Sequence, residues 1–135
     1  MTTINLTQHP ATADQKNAGV EDLPAETLPR LKELLTFEEP PTLEEMDKRC
    51  EGILFDILMN HKVWDDPTGP HEAMIGGAAY FLPVLAETLR QHGFKPVHAF
   101  TKRVVEESLD AEGKRVKTSV FKHVGFVDHP FDLDD

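Results

Sequence analysis

The 135 residues carry 24 acidic and 14 basic side chains, a net charge of −10, with 39% apolar and 28% charged residues. That balance excludes a disordered chain and disfavours general DNA binding, which draws its affinity from neutralised phosphates. A lone cysteine, Cys50, excludes an intrachain disulfide, and no apolar stretch approaches the roughly 20 residues that span a bilayer.

The first residues, MTTINLTQHPATADQ, show neither a basic segment nor a long apolar run. The sequence therefore predicts no signal peptide and a cytoplasmic protein. It predicts one α/β domain over 1–127 and an acidic tail over 128–135.

In chain order, Thr3 to Leu6 reads as a short strand, followed by a polar, turn-rich stretch. Gly19 to Leu23 reads as a second strand or an extended connection. Leu28, Leu31, Leu34 and Leu35 then share one helical face, and EEPP breaks the chain. Thr42 and Glu45 have capping-box spacing. After them Leu43, Met46, Cys50, Ile53, Leu54, Ile57 and Leu58 form an apolar helical stripe, with His61 and Lys62 at its end. Cys50 lies inside that stripe, as a small buried hydrophobe does.

VWDDPTGP reads as a loop, and Glu72 to Ile75 as a strand ending on Gly76 and Gly77. Helical spacing resumes through Leu82, Leu85 and Leu89, with Pro83 in the first turn and Gly93 after the last. PVHAF, residues 96–100, is the next strand. TKRVVEES and RVKTSVFKHVGFV follow as a hairpin turning near Glu112 and Gly113. Phe131 and Leu133 are candidates to dock the tail.

Alternating strands and helices imply an α/β fold: a Rossmann-like layered sandwich with a mostly parallel sheet and a C-terminal hairpin. An α+β arrangement with helices on one side is the alternative.

Ligands of open α/β sheets bind beyond the carboxyl ends of the strands. Three such ends are Thr7–His9, Gly76–Gly77 and Thr101–Arg103. Paired glycines admit a phosphate to the backbone, and a helix N-terminus follows them. Lys102 and Arg103 add charge. Asn5, Thr7 and Gln8 supply hydrogen bonds, and His9 is the acid–base candidate for cleaving a phosphodiester. The structural readings stand beside these: a tight turn at the glycines, a turn histidine before Pro10, and edge-strand charges that oppose aggregation. The GxGxxG and P-loop patterns are missing, as are zinc-ligand spacing and a serine-hydrolase elbow, so no cofactor and no metal are predicted.

Charge is also uneven. Residues 95–127 hold seven basic and four acidic side chains, whereas residues 21–72 hold 5 basic and 14 acidic ones. An acidic body of this kind suits a second class of function, a non-enzymatic interaction protein that binds a basic protein surface, as a phage-type inhibitor or assembly subunit does. A homodimer is a further reading.

INLTQHPATADQ, AMIGGAAYFLPVLAETLRQHGFKPVHAFTKR and SVFKHVGFV together resemble a small family of uncharacterised bacterial and phage proteins. The strand closing on N-x-x-x-H-P-x-T, the central helix and the late strand–turn–helix–strand are similar to small CRISPR-associated Rossmann-like proteins. That resemblance implies binding, and in some members cleavage, of cyclic oligoadenylates. By position it implies ligand contacts at Asn5, Thr7, His9, Gly76, Gly77 and Arg103. The chain departs from that group in an acidic insert around residues 63–72 and in the added hairpin.

Overall fold

The structure, a computed structural model, describes residues 3–60 and 71–130. The elements are β1 (Thr3–Leu6), α1 (Ala13–Asn17), β2 (Val20–Asp22), α2 (Leu28–Leu35), α3 (Leu43–Asn60), β3 (His71–Ile75), α4 (Leu82–Gln91), β4 (Phe94–Leu109) and β5 (Arg115–Asp128). A 3-10 turn, Ala25–Thr27, leads into α2. The strands form one sheet in the order β2-β1-β3-β4-β5. Every pairing is parallel except β4 with β5. The fold is thus mixed α/β, with a mostly parallel sheet and an antiparallel C-terminal hairpin.

Strand pleating sends alternate residues to opposite faces. Ile4, Leu6, Ala73, Ile75 and Phe94 meet Leu31 and Leu35 of α2, Ile53 and Ile57 of α3, and Leu85 and Leu89 of α4. On the other face Val20, Met74 and Val97 pack on Ala11, with Ala99 and Phe126 beside them. The larger core therefore lies under α2, α3 and α4. Burying each of its leucines and isoleucines stabilises the fold by about 1.5–3 kcal/mol.

Two elements differ from the sequence expectation. The polar stretch after β1 contains α1, whose N-cap Thr12 accepts from Gln15 N–H while the Gln15 side chain accepts from Thr12 N–H. Thr-x-x-Gln is a capping box, and it starts a helix that no apolar stripe announces. The second difference is larger. PVHAF and TKRVVEES are one continuous strand, β4. Between Val97 and Leu109 there is no glycine or proline, and Thr101, Val104 and Val105 favour extended backbone. No strand end occurs at Thr101–Arg103.

Other elements follow the sequence. Glu45 N–H donates to Thr42 Oγ1 at the start of α3, although the Glu45 carboxylate pairs with Arg49. Cys50, Ile53, Leu54 and Ile57 are buried, whereas Leu43 at the first turn is exposed. Pro83 occupies the first turn of α4. Gly93 has φ +85°, the left-handed geometry that ends a helix, and β4 begins at the next residue. The hairpin turns through Asp110–Lys114, where Asp110 Oδ1 accepts from Glu112 and Lys114 N–H. The expected loop at VWDDPTGP, the helix-closing His61 and Lys62, and the docking residues Phe131 and Leu133 lie outside the described residues. Among those described, no helix is long and apolar enough to cross a membrane.

Candidate functional site

The sheet's carboxyl edge is built around a buried amide. Asn5 is 4% exposed and stands one residue before the end of β1, beside its cross-strand partner Asp22 on β2. Its Nδ2 donates to Asp22 Oδ1 at 2.8 Å and to the His9 carbonyl at 2.7 Å. Its Oδ1 accepts from Thr7 N–H at 2.9 Å, with Thr7 Oγ1 at 2.7 Å. Asp22 Oδ1 also accepts from Ala11 N–H at 2.9 Å. The two side chains hold both ends of the Thr7–Ala11 loop and turn the His9 carbonyl inward. Such a network satisfies polar groups that would otherwise be buried at a cost.

This loop forms one wall of a pocket of about 300 Å³. Asn5, Thr7, His9 and Asp22 supply its polar atoms, and Leu23, Pro24, Ala25, Leu28 and Leu31 supply an apolar wall. A few convergent polar groups on an apolar surface orient a small ligand. No lysine or arginine lines it among the described residues.

Gly76 continues β3 next to Thr7, since Leu6 pairs with Ile75. A Cβ on Gly76 would lie 3.4 Å from Thr7 Cγ2, an ordinary contact. Gly77 has φ +137° and open space where a Cβ would be. The backbone at Gly77 is thus bare, and a side chain there would be strained. Tyr80 is exposed and tilts against Phe37 at 5.7 Å, and Phe37 meets Phe81 edge-on at 5.2 Å.

Of the residues singled out in the sequence, Asn5, Thr7, Gln8 and His9 share the β1 loop, and Gly76 and Gly77 follow the adjacent strand. Lys102 and Arg103 are elsewhere: they lie in mid-strand on β4, past the last β3–β4 pair at Val97. As consecutive residues of a strand they point to opposite faces. Arg103 Nη2 donates to Ser119 Oγ at 3.1 Å, and Lys102 lies across from Lys122. Asp22 and the 23–31 wall were not anticipated. No local pattern marks them, because the role of Asp22 comes from its pairing with Asn5. Among the described residues no three His, Cys, Asp or Glu side chains cluster as metal ligands.

Cys50 has a different environment. Burial pushes its thiol up to about 11, while a Thr88 hydrogen bond pulls the other way. It is a core residue.

A family model, that of the Uncharacterized protein MJ1673 family, matches residues 1–127. The chain belongs to this family. The match ends one residue before β5 does. No curated protein and no solved structure matches.

Proposed function

We propose that this protein binds a nucleotide or short oligonucleotide, cyclic forms included, at the carboxyl edge of a Rossmann-like sheet. The observation that supports this reading is the strand order. The chain passes from β1 to β2 on one side and then crosses to β3 on the other. The connections diverge between β1 and β3, which is where open α/β sheets hold their ligands. Thr7 and Gly76 meet at that point, and the bare backbone of Gly77 lies one residue further.

The base and ribose occupy the pocket. Its apolar wall takes the ring, and Asp22 and His9 take hydroxyl or ring hydrogen bonds. The phosphate rests over Gly76 and Gly77. With no lysine or arginine lining the pocket among the described residues, affinity comes from base and ribose contacts more than from charge. His9 is the acid–base candidate for phosphodiester cleavage, working in the cytoplasm.

Thermal unfolding with adenosine, adenosine mono- and diphosphate, and linear and cyclic oligoadenylates tests this. A ligand at a hundred times its Kd stabilises by about 2.7 kcal/mol. Ala25→Trp, at an exposed position on the pocket wall, should abolish the shift. No shift with any of these compounds, or an equal shift in Ala25→Trp, overturns the reading. Product formation lost in His9→Ala identifies cleavage.

A further inference from the structure

Beyond Val97 β4 has no partner on β3, and past Ala99 and Phe126, which still pack on the body, β4 and β5 continue as a two-stranded arm from Thr101 to Leu109 and from Arg115 to His123. Nine residues of strand carry it about 30 Å. A two-stranded ribbon alone is marginal in water, because it has no second layer on which to bury side chains. This arm nevertheless presents Phe121 at 71% exposure, Leu109 at 69% and Val105 at 59%.

The register puts all three on one face. Arg103, Val105, Glu107 and Leu109 lie opposite Phe121, Ser119, Lys117 and Arg115. Three apolar side chains alternate with three cations and one acid on this face, which lacks the uniformly polar character of a solvated surface.

Elsewhere on the molecule, a groove of about 810 Å³ runs between α3 and α4. Leu54 and Val84 line it, and the exposed side chains of Leu43 and Phe55 stand beside them. Asp47, Glu51, Glu87, Thr88, Gln91 and His92 complete its lining, with three carboxylates and no lysine or arginine among the described residues.

We propose that the Arg103–Phe121 face of the arm docks into the α3–α4 groove of a second copy of this chain, each arm clasping the other body about a two-fold axis. The two surfaces are complementary in charge and both are apolar at the centre. A ribbon face of this length, reciprocated by symmetry, buries on the order of 1,000 Å² in total, at the lower bound for a specific interface. Nucleic acid fits the arm less well, because Glu106, Glu107, Asp110 and Glu112 are interspersed among its cations and the body is acidic. This inference goes beyond the nucleotide reading and does not depend on it.

Sedimentation equilibrium of the full chain at concentrations up to about 100 μM should give a dimer. Val105→Asp with Phe121→Asp, both at exposed positions, should weaken association about 100-fold or more and leave the helical circular dichroism unchanged. Arg103→Glu with Lys117→Glu should also weaken it, as should Asp47→Lys with Glu51→Lys. Mixing these two charge-reversed proteins should restore a heterodimer. A monomeric wild type overturns the proposal, as does a dimer indifferent to either set or a mixture that does not associate. A monomer whose arm binds duplex DNA or RNA would overturn it in favour of a nucleic-acid arm.

Discussion

Asn5 and Asp22 are direct cross-strand partners joined side chain to side chain at 2.8 Å, at the edge where β1 and β2 end. Together they hold the Thr7–Ala11 loop against the sheet through the Thr7 N–H, the His9 carbonyl and the Ala11 N–H. Asn5→Ala removes the acceptor for Thr7 N–H and the donor to the His9 carbonyl. The expected loss is about 2–3 kcal/mol, read as a lower urea midpoint with an unchanged slope. Asp22→Ala should cost a similar amount. The double variant should cost less than the sum, because each single change already frees the loop.

The glycine pair separates packing from backbone geometry. Gly76→Ala adds a methyl at ordinary contact distance from Thr7, so stability should stay within about 0.5 kcal/mol of wild type. Gly77→Ala meets no atoms but forces a side chain onto φ +137°, and should cost about 1–2 kcal/mol. Calorimetry of the two variants checks the order. The reverse order would show that crowding by Thr7, and not backbone geometry, limits this turn.

His98 Nε2 and His129 Nδ1 lie 2.8 Å apart, which requires one ring to donate and the other to accept. Arg90 Nη2 donates to the His129 and Pro130 carbonyls at 3.1 Å. Burial, then the positive charges of His98 and Arg90, hold His129 below the usual imidazole range. The unfolded chain therefore binds this proton more readily than the folded one. The stabilisation is complete above a pH of about 6.5 and declines as the pH falls through the folded value. Urea midpoints should drop between pH 7.5 and 5.5, and His129→Gln should flatten that slope. A slope unchanged in the variant would assign it to other groups.

With its thiol raised to about 11 by burial, Cys50 should react with an aromatic disulfide reagent at pH 8 far more slowly than a free thiol. In urea above the unfolding midpoint the rate should reach the free-thiol value. Rapid labelling of the folded protein would show that α3 opens locally.

The residues that announced their own structure are those with a strong local period. The α3 stripe, Pro83 at the start of α4, the apolar run into Gly76 and the Asp110–Lys114 turn could all be placed from spacing. α1 escaped because its only signal is the four-residue Thr12–Gln15 cap. The length of β4 escaped because a strand end leaves no mark where neither glycine nor proline stands, and that removed Lys102 and Arg103 from the edge. Asp22 was invisible for another reason. Its role arises from pairing with Asn5, 17 positions away, and no local pattern encodes that partner.

The sheet ends in two very unequal rims. β2 contributes three residues and β5 contributes fourteen. Stacking of sheets edge to edge into fibres needs each molecule to present two matching borders, one to receive and one to pass on. Along the arm, however, the outer rim of β4 is as free as that of β5, and Lys102, Arg103, Glu106 and Glu107 on one and Arg115, Lys117 and Lys122 on the other set charges along both. Charged rims of this kind oppose the addition of a further strand, so a chain with so long an exposed ribbon is kept from polymerising by what lines its borders.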